Sequence, residues 1–159
     1  MSYSMRCIFF TEKGKILDQA WNDSLKALSN LGSDLDIEYS MENNVKLEGG
    51  SFKNKHISYF TKQAFEIKRD KLYKQLDFIQ KDLCKIDNNK YTPDYFQLTD
   101  DQKESIMEEM NNLRDEKEEL QYAANACSFM IGMFDWLSER AYEEDTSFNE
   151  IIYVGIYAE

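Results

Sequence analysis

"LYKQLDFIQKDLCKI", Leu72 to Ile86, places apolar residues at Leu72, Leu76, Ile79, Leu83 and Ile86, separated by 4, 3, 4 and 3 positions. That spacing is a heptad seam, one apolar stripe along a helix facing a partner helix. The surrounding chain from about Phe52 to Ile86 holds no glycine or proline, so the reading predicts one long helix beginning near Phe52. A second seam follows the break: Ile106, Met110, Leu113, Lys117, Leu120, Ala124, Cys127, Ile131 and Phe134, again spaced strictly by 4 and 3.

The two seams fit one antiparallel register. Ile86 with Ile106, Leu83 with Met110, Ile79 with Leu113, Leu76 with Lys117 and Leu72 with Leu120 have residue numbers that add to 192 or 193 throughout. Extended, the register joins Phe65 to Cys127 and Ser58 to Phe134. A helical hairpin over 52–142 is expected, with arms of roughly 45–60 Å at ~1.5 Å per residue. Its turn falls near 88–99, where "NNKYTPDYFQL" contains the chain's only proline. Thr99 and Gln102 form a capping-box pattern at the start of the second helix, with Asp100 and Asp101 at its positive end. Lys117 is the one charge on the seam; it snorkels outward or fixes register.

Working outward, "MRCIFF" (Met5–Phe10) is short, apolar and aromatic and reads as a buried strand. Ile16, Ala20, Trp21, Leu25, Leu28 and Leu31 have helical spacing, closed by Gly32 as a C-cap. "LDIEYS" and "NVKLEG" alternate around "MENN" and read as a hairpin. At the other end, "MFDWL" (Met133–Leu137) carries the second long helix back to the globular end. "FNEIIYVGIYA" (Phe148–Ala158) reads as the last strand, beside "MRCIFF" or the hairpin. The expected fold is therefore α+β and a single domain over 1–159. A small mixed or antiparallel sheet with one short helix occupies 1–50 and 146–159, and a long antiparallel two-helix coiled-coil arm is inserted between.

The segment "ALSNLGSDLDIEYSMENNVKLEGG" (Ala27–Gly50) resembles the helix–strand–strand rhythm in half-domains of DNA sliding clamps. The likeness lies within the stretch from Gly14 to Phe65, about a third of the chain. It implies only that local unit, without an invariant motif, and no site residue is carried across from it.

The composition narrows the function. With 159 residues and 42% apolar content the chain can bury a core without disulfide or metal. Nineteen bases against 30 acids give a formal charge of −11. Such a protein does not bind nucleic acid by neutralising phosphates, repels anionic membranes and suits a basic protein partner. Three scattered cysteines, Cys7, Cys84 and Cys127, form no CxxC and read as reduced thiols of a cytoplasmic protein. "IIYVGIYA" is too short to span a bilayer as a helix.

Catalytic equipment is thin. His56 is the only histidine, which argues against His-based zinc or di-iron sites and against Ser/His/Asp or Cys/His schemes. "EGGSF" is not GxSxG, and "EKGK" lacks the frame of a phosphate loop. The chain is expected to be no enzyme and to need no cofactor or metal.

What remains is charge. "MEEMNNLRDEKEELQ" (Met107–Gln121) has six acids and two bases. From Thr99 onward there are 16 acids and four bases, against six acids and ten bases from Ser51 to Leu98. In the heptad frame Glu104 and Glu118 take b, Glu119 takes c, and Asp101, Glu108 and Asp115 take f. Only Glu109 and Glu116 flank the seam. Charges at b, c and f are also what any solvated helical arm carries. Beyond solvation, Glu104, Glu108, Asp115 and Glu119 follow one face, where carboxylates one turn apart stand ~5–6 Å from each other, a spacing comparable to phosphates along a strand. Tyr91, Tyr95 and Phe96 sit at the arm's turn, as interface anchors or as a plug for its end.

The expected partner-binding residues are thus Glu104, Glu108, Glu109, Asp115, Glu119, Tyr91, Tyr95 and Phe96. The leading expectation is an inhibitor or regulator occupying the nucleic-acid groove of a basic enzyme, of the phage anti-defence or nuclease-immunity type. The alternative is a coiled-coil assembly or scaffold subunit of a larger complex, with self-association left open.

Overall fold

A computed structural model describes residues 5–21, 39–40 and 58–158 of the chain. Five strands and three helices are described: β1 (Met5–Thr11), β2 (Ile16–Trp21), β3 (Tyr39–Ser40), β4 (Ser58–Thr61), α1 (Lys62–Asn89), α2 (Pro93–Phe96), α3 (Asp100–Glu144) and β5 (Ile152–Ala158). The strands form one antiparallel sheet in the order β2-β1-β5-β4-β3. The fold is mixed α+β.

The C-terminal strand lies at the centre of the sheet, between β1 and β4. Its partner across Phe9 is Val154, and Val154 in turn faces Phe60. These three form a row on the face turned to the helices, and all are essentially inaccessible to solvent. The period-2 alternation puts Ile8, Gly155 and Tyr59 in a row on the opposite face. Aromatic contacts there join Phe10, Tyr59 and Tyr153, with ring centroids 5.2–5.9 Å apart.

β4 leads into α1 without a loop, so one continuous segment belongs first to the sheet and then to the arm. α1 and α3 pack side by side and run antiparallel. Lys62 meets Asp135 near the sheet, Tyr73 meets Ser128, and Gln80 meets Lys117 further out. The core fuses the sheet's row with Ala64, Phe65 and Leu72 of α1 and with Ala123, Cys127, Met130, Phe134 and Leu137 of α3. Phe134 is its hinge point, edge-on to Phe9 at 5.4 Å and tilted against Phe65 at 5.9 Å. Alanines at 123, 124 and 126 let α3 approach closely where three elements crowd together.

The seam residues of both helices are buried or half-buried, Lys117 included. With 28 and 45 residues, α1 and α3 are about 42 and 68 Å long at ~1.5 Å per residue.

Two expectations change. The stretch from Ile16 to Trp21 is not the start of a helix: it is edge strand β2, paired with β1. A bulge between Phe9 and Phe10 leaves Leu17 as the extra residue between Asp18, opposite Phe9, and Ile16, opposite Phe10, and Leu17 packs on the core. The extra residue breaks strict alternation, and Ile16 and Ala20 then imitate helical spacing. The turn before it is held by Gly14 at φ 88°, a conformation that favours glycine. The Gly14 amide donates to the Thr11 carbonyl.

Nor does the arm begin near 52. Ser58–Thr61 is strand, so the first helix starts at Lys62, and Ser58 is no seam partner of Phe134. β-Branched and aromatic "SYFT" pairs with β5 because its alternation places Phe60 on the core face. Of the expected hairpin, Tyr39–Ser40 is strand and pairs with β4. The remainder of that hairpin, the Leu25–Leu31 part of the expected helix, most of the clamp-like segment and His56 lie outside the described residues.

Candidate functional site

α3 carries the five candidate acids, and its start is fixed by local chemistry. The Gln102 amide donates to Thr99 Oγ1 at 3.2 Å, and the Thr99 amide donates back to Gln102 Oε1 at 3.0 Å. This is the expected capping box, and Asp100 and Asp101 stand in the first turn. From there the seam residues Ile106, Met110, Leu113, Lys117 and Leu120 face α1, which orients everything else on the helix.

Glu104, Glu108, Glu109, Asp115 and Glu119 are all exposed. None of the five has an ion-pair partner among the described residues. On a helix wheel Glu104, Glu108, Asp115 and Glu119 share one outward face, whereas Glu109 lies at the flank of the seam and points elsewhere. The basic side chains of α1 do not close over this face. Lys81 is engaged on its own helix by Asp77 at 3.0 Å, and Lys62 by Asp135 near the sheet. That hydrogen bond to Asp135 outweighs the opposing effect of burial and raises the Lys62 pKa.

At the arm's end, Thr92 stands at the N-cap position of the short α2 without a side-chain cap, its hydroxyl donating instead to the Asn89 carbonyl at 2.7 Å. Tyr95 is half-buried, edge-on to Phe96 and 5.4 Å beneath the Lys103 ammonium. The contact with Lys103 ties the turn to the first turn of α3. Tyr91 and Phe96, by contrast, are 78% and 69% exposed. The tip aromatics and Glu104 therefore share one end of the molecule, while Asp115 and Glu119 lie several turns back along the arm.

The groove between the helices holds about 280 Å³ and is lined by Gln80, Leu83, Cys84, Asp87, Met110, Arg114 and Lys117. Gln80 links two of its polar groups, accepting from the Lys117 ammonium at 2.7 Å and donating to Cys84 Sγ at 3.5 Å. Cys127 lies in the core, where burial pushes its thiol up to about 11. Among the described residues no group of three or more His, Cys, Asp or Glu side chains is placed to hold a metal ion. No described helix is long and apolar enough to cross a membrane.

One surface escaped the sequence reading. The f column containing Glu108 and Asp115 continues, at the same interval of seven, to Tyr122, Phe129 and Trp136. These three are 62%, 42% and 47% exposed, and the Arg140 guanidinium lies 5.2 Å from the Trp136 ring. The outward face of α3 is thus acidic toward the tip and aromatic toward the sheet. The signal was present in the heptad frame, since extending f beyond Asp115 lands on each ring.

Comparison with family models, with curated proteins and with solved structures finds no match to this chain.

Proposed function

We propose that this chain is a small acidic, non-catalytic inhibitor or regulator that acts in the cytoplasm on a basic, nucleic-acid-acting enzyme. It occupies the enzyme's nucleic-acid groove, in the manner of a phage anti-defence protein or a nuclease-immunity partner. The observation that carries this reading is the exposed row Glu104, Glu108, Asp115 and Glu119, without ion-pair partners among the described residues.

Carboxylates one turn apart stand ~5–6 Å from each other, and a groove built for a phosphate backbone presents bases that such a row can pair. Glu109 adds charge at the flank, and Tyr91 and Phe96, with Tyr95 beneath them, supply aromatic anchors at the tip. Membrane and nucleic acid are not its direct ligands on this reading. The arm acts as a stiff lever, with the two seams interlocked as a coiled coil.

The test is recovery of partners from the native host's lysate at low and high salt, followed by reversal of Glu104, Glu108, Asp115 and Glu119 to lysine together. A basic enzyme that stays bound at low salt, is displaced by DNA or RNA and is lost on charge reversal supports the reading. Binding unchanged by the reversal removes the mimicry. Recovery of scaffold proteins indifferent to nucleic acid favours the assembly reading, for which the exposed rings on α3 are the structural argument.

A further inference from the structure

α1 carries a basic column that the arm leaves uncovered. Lys71, Lys74, Phe78, Lys81 and Lys85 recur every 3 and 4 positions, so they share one face of the helix. That face is turned away from the seam, and all five residues are exposed. Asp77 engages Lys81 from the same helix, yet four ammonium groups in one column repel one another. In their midst stands Phe78, 69% exposed. On the opposite side of the arm, α3 turns outward Glu104, Glu108, Asn111, Asp115 and Glu118, spaced by 4, 3, 4 and 3 and likewise exposed.

We infer that the basic column of α1 packs, antiparallel, on the acidic column of α3 in a second copy of this chain. Lys85 then comes opposite Glu104, Lys81 opposite Glu108, Phe78 opposite Asn111, Lys74 opposite Asp115 and Lys71 opposite Glu118. The residue numbers add to 189 in every pair, so one register places all four lysines against acids over about 21 Å of helix. Sliding either helix by one heptad leaves at most two such pairs, and no parallel alignment of the columns gives more than three. The next layer toward the sheet sets half-buried Ile67 against Tyr122.

The flanks agree with this register. On one flank Lys68 comes opposite Glu119, and on the other Asp77 comes opposite Arg114. Asp82 and Asp70 come opposite Ser105 and Gln121, each diagonal to an acid (Glu108 and Glu118), and Lys74 lies diagonal to Arg114. No two like charges stand directly opposed. Exposed ion pairs are individually weak, so the contact draws on their number and is screened by salt.

A single chain cannot satisfy the two columns itself, because its own seam holds them on opposite sides of the arm. A copy that gives its α1 face keeps its α3 face for another, so the contact is head-to-tail and extends a row or closes a ring. The inference does not rest on the inhibitor reading, although Glu104, Glu108 and Asp115 serve in both.

Sedimentation velocity of the full chain at low salt tests it, with two charge-reversed variants checked for folding by circular dichroism. One carries Lys71→Glu, Lys74→Glu, Lys81→Glu and Lys85→Glu; the other carries Glu104→Lys, Glu108→Lys, Asp115→Lys and Glu118→Lys. The unaltered chain should form species larger than a dimer as its concentration rises, and these should dissociate at about 0.5 M salt. Each variant alone has two faces of one sign and should associate at least tenfold more weakly. An equimolar mixture of the two should associate again, because each then meets its opposite. An unaltered chain that stays monomeric up to hundreds of micromolar at low salt overturns the inference, and leaves the basic column to another acidic partner. So does a mixture of folded variants that fails to associate. The lysine variant keeps the acidic row whole, so self-association and capture of an enzyme are measured apart.

Discussion

Lys117 of α3 crosses the seam to Gln80 of α1, its ammonium donating to the amide oxygen at 2.7 Å. Below and above it the seam continues with Leu113, Leu120 and Leu76, all half-buried. The lysine stem contributes apolar contact while its head reaches the groove, so a charge is tolerated where a leucine would pack. A polar seam residue fixes register at some cost in stability.

Lys117→Leu should therefore stabilise the fold by about 1 kcal/mol, less than the full burial of a leucine because the site is only half-enclosed. Urea denaturation reads it directly, as a higher midpoint with an unchanged slope. A lower midpoint would mean that the hydrogen bond to Gln80 outweighs the apolar gain.

Phe134 sits where sheet, α1 and α3 converge, against Phe9 and Phe65 and with 1% of its surface exposed. Phe134→Ala should cost about 3–5 kcal/mol, the range for deleting a buried aromatic ring. Phe96→Ala at the tip should change stability by less than ~0.5 kcal/mol, since its ring is mostly in solvent. The contrast is measured in one thermal-melt series. A small effect at Phe134 would mean that the arm and the sheet are energetically uncoupled.

Much of this was legible because helices repeat themselves. The seam residues from Leu72 to Phe134 recur every 4 and 3 positions over many turns, so single irregularities such as Lys117 do not obscure the period. The frame that located the seam also located the outward acids, Glu104 and Asp115 among them. Strands offer fewer repeats. β4 has four residues and passes into α1 without glycine or proline, so nothing in its composition marks a boundary. In β2 the bulge at Leu17 disturbs the alternation by which a strand is recognised. Trp136 was hidden differently: "MFDWL" reads as the apolar return of the helix to the globular end, yet only Phe134 and Leu137 of it are buried, and Trp136 is exposed.

The reciprocal cap at Thr99 supports a helix whose first turns otherwise contact only the arm's end. Thr99→Ala should cost about 1 kcal/mol. The loss should appear as faster amide exchange over residues 100–106, with the sheet unaffected. Exchange that rises equally in β5 would show that the arm unfolds only together with the sheet.

Cys127 gives the fold a dependence on alkaline pH. Its thiol is buried, and burial holds the neutral form up to about 11, against an ordinary value of 9.0. Below pH 9 the thiol is protonated whether the chain is folded or unfolded, and it contributes no pH dependence. Between 9 and 11 the unfolded chain releases the proton and the folded chain keeps it, so the unfolded state binds fewer protons and stability falls with rising pH. The slope approaches ~1.4 kcal/mol per pH unit for one proton, and the total approaches roughly 2–3 kcal/mol by pH 11. Lysines and tyrosines titrate in the same window, so the measurement is a difference between the unaltered chain and Cys127→Ala. Urea midpoints of the two should converge as the pH is raised from 8 to 10.5, because the variant has no thiol to ionise. Cys84, exposed in the groove, should react with a thiol reagent in the folded protein, while Cys127 reacts only on unfolding. A constant gap between the two midpoints across that range would show that the Cys127 thiol ionises at the same pH in both states.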